Sequence, residues 1–349
     1  MSNLTQLRIC AEKPLPQEEH ILKSLSDKSN SKAHYIKLSA AFFSQKIWPK
    51  DSVVTISFVA SPNDIKNVDW TPIAVLKGLK NNDGSPVKLD PIEDQIRELS
   101  PIEAVKKIVR DRIQPLVGVK FKFVDQGGNV RISFDPHGGS CSLIGTDCLK
   151  SNEKSTMNFG WLDAGTIIHE FGHVLGLIHE HQNPKGQKIP WNDAKVYEWA
   201  KQTQGWDQQT TYHNIIERYD VNQINGSDFD SKSIMLYFFP PELTTDNKGT
   251  NQNHILSQTD ISYIEKVYPG SDTSVSDFYE NIYHKTSTPS NFKWKWKVII
   301  SIIASIIVIV LSCVIISYLV RKNKSVFQHT NYLDWKKSYS ISKNTYTPS

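Results

Sequence analysis

An α+β domain over residues 46–270, followed by one membrane-crossing helix over residues 298–320, is the architecture that the sequence predicts. Three observations predict it. β-rich runs come early, a histidine-bearing helical segment follows them, and a long uncharged stretch lies near the C-terminus. Strands first and helices afterwards argue for a segregated α+β domain rather than for alternating βαβ units.

Residues 1–45 are polar and mixed, with a short helix expected near 18–26, and read as an N-terminal extension or pro-segment. Cys10 lies there in a polar context, which favours a plain thiol over a ligand that blocks a metal. Val53–Val59 reads VVTISFV, β-branched enough for a first strand. Residues 60–100 carry Pro62, Pro72, Pro86 and Pro91 around a turn-like Asn81-Asn82-Asp83-Gly84, so a loop-rich insertion is expected. Ser100 caps a helix reaching Ile113, with Pro101 in its first turn and Glu103 behind it.

Val119–Val124 and Val130–Phe134 are the next strands, joined by a turn at Asp125-Gln126-Gly127-Gly128. Gly138–Ile144 fits an edge strand or a glycine-rich loop equally well. Helices are expected over Thr166–Ile178, Asn192–Gln204 and Gln208–Tyr219. Ser257 caps a last one, which Pro269-Gly270 ends. Residues 271–297 are a polar, Ser/Thr-rich linker.

The stretch from Val298 to Val320 holds 23 uncharged residues. As a helix it spans about 34 Å, enough to cross the hydrocarbon core of a bilayer. Trp294 and Trp296 precede it and Tyr318 lies at its far end, where interfacial aromatics belong. The whole chain carries a net +4, and eight net positive charges lie past residue 292, so residues 1–292 carry −4. The basic residues thus flank the span and run into a short basic tail over 321–349, and no basic patch argues for nucleic acid.

The first twenty residues contain no apolar core of a secretory leader, and lysines on both sides of the span leave its orientation open. Four cysteines are too few for a disulfide scaffold. Cys313 lies in the span. Cys141 and Cys148, seven residues apart around glycines, fit a disulfide or two separate thiols equally well.

The chemistry is concentrated in Thr166-Ile-Ile-His-Glu-Phe-Gly-His-Val-Leu-Gly-Leu-Ile-His-Glu-His181. His169 and His173, four apart, project from one face of a helix about one turn apart, where both can reach a single ion. Glu170 beside them suits a base that takes a proton from water. Gly176 can adopt positive φ and end the helix, which lets His179 return as a third ligand. Three neutral imidazoles with one position left open suit a catalytic Zn2+.

HEFGHVLGLIHEH resembles the extended zinc motif of the metzincin proteases, and Glu180 after the third histidine is typical of their astacin-like branch. Ser233-Ile234-Met235-Leu236-Tyr237, with Met235 56 residues beyond His179, resembles the Met-turn of that group. The resemblance implies Met235 as the floor of the zinc site and Tyr237 as a ligand that swings away to stabilise an oxyanion. It implies that Glu180 meets the trimmed N-terminus of a mature enzyme. It also implies a twisted sheet and active-site helix above a cleft, with an irregular C-terminal subdomain below. The continuation HEHQNPKGQKIPW departs from animal astacins and is closer to microbial astacin-like proteins.

The expected protein is therefore a membrane-anchored zinc metalloendopeptidase with Glu170 as general base, a peptide or protein as substrate and a lipid bilayer around residues 298–320. The competing reading is a non-catalytic membrane or envelope protein that keeps the same fold. The intact Glu170 argues against it, because a structural zinc takes a fourth protein ligand rather than a base. A C-terminal anchor without a leader also fits display in the envelope of a virus maturing in the cytoplasm.

Overall fold

The computed structural model describes residues 46–184, 189–219, 229–270 and 274–284, together with Ser305, 310–312 and 314–321. It divides into two compact units, Met1–His284 and Lys285–Ser349. The expected N-terminal extension, Cys10 and the helix near 18–26 lie outside the described residues. So does most of the expected span over 298–320. Residues 314–321 are helical and exposed, and among the described residues no helix is long and apolar enough to cross a membrane.

The first unit is built on a five-stranded sheet in the order β2-β1-β3-β5-β4. Its strands are β1 (Val53–Phe58), β2 (Lys120–Phe123), β3 (Val130–Ser133), β4 (Cys141–Ser142) and β5 (Met157–Asn158). Every pairing is parallel except that of β4, which runs antiparallel to β5 at the sheet edge. The edge-strand alternative for residues 138–144 is thus the one the chain adopts.

The expected turn between β2 and β3 takes a different form. The two strands do not pair with each other; both run parallel to β1, on opposite sides of it. Phe123 lies opposite Ile56 on one side, and Val130 lies opposite the same Ile56 on the other. The chain crosses β1 without reversing. Gly128 makes the close approach, since a Cβ there would lie 2.6 Å from the Ser57 nitrogen. The crossing is tied down by Gly128 N–H donating to Ser57 Oγ at 3.0 Å and by Asn129, which exchanges hydrogen bonds with the backbone and hydroxyl of Thr55. A hairpin signal read from glycines alone cannot distinguish this crossing from a turn.

The insertion over residues 60–100 is more ordered than its prolines suggest, with short helices α1 (Pro62–Lys66), α2 (Ile73–Gly78) and α3 (Glu93–Ile96). Then α4 (Pro101–Ile108), capped by Ser100 as expected, continues into a π turn over Val109–Ile113. The long helix α5 (Ala164–Val174) follows β5. Val54 and Ile56 of β1, Val130 and Ile132 of β3, Ala104 and Ile108 of α4, and Ile167, Ile168 and Phe171 of α5 are all buried in one apolar cluster.

Beyond it come α6 (Asp193–Gln204), α7 (Gln208–Thr211) with its π turn Tyr212–Ile216, and α8 (Gln258–Val267). Residues 274–284 differ from the expected linker. They form α9 (Val275–Tyr279) and a π turn over Glu280–His284, and Phe278 and Tyr283 are buried in the main cluster. The aromatic spacing of this segment supplies the apolar face that its serines disguise.

Candidate active site

Helix α5 is fixed at its start by carboxylates. Asp163, its N-cap, accepts from the Thr166 N–H at 2.8 Å and from the Thr71 hydroxyl at 2.8 Å. Glu93 accepts from the Ala164 N–H at 2.7 Å. Both suit the positive end of the helix dipole. The helix ends one turn earlier than the sequence suggests, at Val174. There Gly176 takes φ +90°, its N–H donates to the carbonyl of His173 and the Leu177 N–H donates to that of Gly172. This paired termination needs a residue tolerant of positive φ, and it turns the chain back so that His179 faces the helix.

The three histidines converge. Their ligand atoms all lie within 4.8 Å of one another, and all three residues are buried. The Nδ1 of His169 donates to the carbonyl of Ile234 at 2.9 Å, and that of His173 donates to the carbonyl of Leu177 at 2.9 Å. Carbonyl partners fix the tautomer, because only a protonated Nδ1 can donate to them, and so leave a lone pair on each Nε2.

The Nε2 atoms of His173 and His179 then face each other at 3.0 Å, and the buried Nε2 of His169 has no hydrogen-bond partner. Burial pushes His169 down to about 4 and His173 to about 3, and it holds His179 well below the ordinary range. At neutral pH burial leaves these imidazoles uncharged, so the Nε2 lone pairs of His169 and His173 remain available to a cation. A divalent cation satisfies them, and three imidazoles suit one catalytic zinc.

The remaining predicted residues surround this point. Glu170 is fully buried and borders the same cavity as His169. The Tyr237 hydroxyl lies 2.5 Å from His179 Nε2. Met235 is buried, and its Sδ fills the space beside Gly172, where a Cβ would approach to 2.6 Å. Glu180 donates its N–H to the Met235 carbonyl at 3.0 Å. Its carboxylate accepts from the Asn183 amide at 3.0 Å and from the Asp230 N–H at 2.8 Å; the N-terminus that the family resemblance gives it as a partner lies outside the described residues. Cys141 and Cys148 are not joined by a disulfide. Cys148 is buried in the main core, whereas Cys141 packs with Tyr237 and Phe239 in a different cluster.

Sequence reasoning missed Asp260. It is buried in the first turn of α8, closes a capping box with Ser257, and reaches across to the 233–237 turn. There it accepts from the Ser233 hydroxyl at 2.6 Å and from the Ile234 N–H at 2.9 Å. The Ser257-x-x-Asp260 pattern was visible as a cap; its second attachment was not, because nothing local to α8 signals a partner 26 residues away.

An open cavity of about 750 Å³ adjoins the cluster, lined by His169, Glu170 and Tyr237 and also by residues of α2. These α2 residues belong to the 60–100 insertion.

A family profile described as astacin, a family of peptidases, matches residues 101–269. A solved structure of myroilysin is 31% identical, covering 65% of this chain and 98% of that one, with a TM-score of 0.48. A second, a crystal structure of myroilysin, is 26% identical over 77% of this chain and 94% of that one, with a TM-score of 0.44. High choriolytic enzyme 1, a hatching enzyme zinc-protease from Oryzias latipes (medaka fish), is 15% identical over 65% of this chain and 96% of that one, with a TM-score of 0.35. No curated protein matches the chain.

Proposed function

The chain belongs to the astacin family of peptidases, and on that premise we propose that this zinc metalloendopeptidase uses Glu170 as its general base and is held at a membrane by residues 298–320. The observation that carries the catalytic part is the grouping of Glu170 and Tyr237 around three converging imidazoles. Zinc, when bound, acts as a Lewis acid on water and on the scissile carbonyl.

The chain's own residues perform the rest. Glu170 takes the proton of the attacking water and later delivers it to the leaving amine, the double role that a buried carboxylate beside the reacting atoms suits. The Tyr237 hydroxyl turns from His179 to donate a hydrogen bond to the oxyanion as it forms. The Nδ1–H bonds of His169 and His173 keep the imidazoles oriented throughout. An extended peptide is placed along β4, which pairs with β5 at the sheet edge, by strand addition.

The anchoring part rests on the 23 uncharged residues and their flanking aromatics. A bilayer is the partner they fit.

The test combines zinc analysis of the full chain with cleavage of a quenched peptide library, beside the Glu170→Ala variant. One zinc per chain, and cleavage abolished by a chelator and by the variant, is the expected result. Zinc binding with full cleavage by the variant would remove Glu170 from the mechanism. Release of the chain from membranes by alkaline carbonate would remove the anchor.

A further inference from the structure

Asn82 lies in the turn between α2 and α3, outside the family match that begins at residue 101. Its side-chain amide donates to the Lys248 carbonyl at 2.8 Å and to the Thr250 carbonyl at 2.9 Å. Beside it, Asn81 Oδ1 accepts from the Gln252 N–H at 3.2 Å. The turn that carries both asparagines is closed by bonds of its own. The Asn81 N–H donates to the Ser85 carbonyl at 2.9 Å, and Asp83 accepts from the Ser85 N–H at 2.8 Å. Leu76 before the turn and Val87 after it are buried. Part of the 60–100 insertion therefore grips the chain at residues 248–252.

Thr250 passes this grip on to the segment that carries Tyr237. Its hydroxyl accepts from the Phe239 N–H at 2.7 Å and donates to the Tyr237 carbonyl at 2.5 Å. Its own N–H donates to the Phe239 carbonyl at 2.9 Å. One side-chain oxygen thus uses its donor and an acceptor site on the backbone either side of Phe238. Asp260 holds the same segment upstream, at Ser233 and Ile234. The two attachments bracket residues 233–239, and the Tyr237 hydroxyl reaches His179 Nε2 from between them.

We propose that Thr250 is a positioning residue for peptide hydrolysis and that Asn82 holds it there, so that together they fix the backbone of Tyr237 while its side chain turns from His179 to the oxyanion. The inference rests on the proposed role of Tyr237. A hydroxyl that changes partners in this way swings about its own side-chain bonds, and where it arrives depends on where its Cα is held. An oxyanion donor acts within about 2.7–3.1 Å of the charge. A misplacement of about 1 Å, even from a change far from the chemistry, costs up to about a hundredfold in rate. Holding the main chain at residues 237 and 239 leaves the ring of Tyr237 to move and keeps its pivot still.

The experiment is a double-mutant cycle on the full zinc-loaded chain. Thr250→Val keeps the shape and removes the hydroxyl, and is expected to lower kcat about tenfold with KM and zinc content unchanged. Thr250→Ser keeps the hydroxyl and is expected to restore kcat to within about twofold of wild type. Asn82→Ala, at an exposed position, is expected to lower kcat about threefold, the scale of lost ordinary hydrogen bonds. In the Tyr237→Phe background Thr250→Val is expected to change kcat by less than about twofold, because no donor is left to misplace. Should Thr250→Val fail to fold, Asn82→Ala takes its place in the cycle.

Amide hydrogen exchange of the metal-free chain gives a reading independent of turnover. Asn82→Ala is expected to speed exchange at Phe239 and Thr250 and to leave α5 unchanged. An equal loss of kcat in both backgrounds, or faster exchange with kcat intact, would make Thr250 a purely structural residue. Either result overturns the proposal and leaves the role of Tyr237 standing. If Tyr237→Phe alone left kcat unchanged, Tyr237 would drop out of the reaction and the proposal would fall with it.

Discussion

Asp260 and His169 act on opposite sides of one peptide residue. The Asp260 carboxylate accepts from the Ile234 N–H at 2.9 Å, and the Ile234 carbonyl accepts from His169 Nδ1 at 2.9 Å. The carboxylate also accepts from the Ser233 hydroxyl and the Ser257 N–H. A single buried side chain thus joins α8 to the turn that orients the first zinc ligand.

Cutting this link weakens the metal site. Asp260→Ala strips Ile234, Ser233 and Ser257 of their acceptor, and loss of such an outer partner costs about 10- to 100-fold in metal affinity. Asp260→Asn can keep its amide oxygen towards Ile234 and Ser257 and donate to Ser233, so it is expected to stay within a few-fold of wild type. Competition with a chelator of known affinity measures both.

Acidity tests the same residue. Burial is the main cause that pushes Asp260 up to about 6, against three hydrogen bonds that lower it. In the unfolded chain the carboxyl titrates near 3.8. Well below pH 3.8 it is protonated in both states. As pH rises towards 6 the unfolded state ionises first, so the folded wild type loses stability relative to Asp260→Asn. The difference is about 2 kcal/mol at pH 7 compared with pH 4. Urea midpoints of the two chains at both pH values check it, and a constant difference would contradict the burial argument.

Much of the site was legible because it is local. His169, Glu170, His173 and His179 sit on one helix and the turn that Gly176 allows, and spacing alone brings them together. Met235 and Tyr237 were legible only through resemblance, since their contacts with Gly172 and His179 join distant segments. Asp260 was hidden for the same reason, as it acts through a partner far away in sequence. The crossing at Gly128 was read as a turn because its purpose lies in the backbone of Ser57.

Tyr237 separates binding from chemistry. Its ring lies tilted against those of His179 and His181, while its hydroxyl reaches His179 Nε2. Tyr237→Phe keeps the ring and removes the donor. The expected outcome is a kcat lower by about a hundredfold, the cost of one oxyanion donor, with zinc content and KM little changed. A KM effect of that size with kcat intact would instead make Tyr237 a substrate-binding group.

The β1 crossing has its own test in Gly128→Ala. A methyl group there would lie 2.6 Å from the Ser57 nitrogen and 2.8 Å from the Ile56 carbonyl carbon. Both atoms belong to the backbone of a strand held by parallel partners on each side, so neither can yield without breaking pairing. Overpacking of this kind costs about 1–3 kcal/mol even where flexible side chains absorb part of it. The upper end is expected here, accompanied by loss of the Gly128–Ser57 hydrogen bond. Gly127→Ala supplies the contrast: it has open space around the new Cβ but φ +70°, so it carries only the backbone penalty of about 1–2 kcal/mol. Denaturant midpoints of the two variants should therefore rank Gly128→Ala as the more damaging, and the reverse order would mean that the chain does not cross β1 this closely.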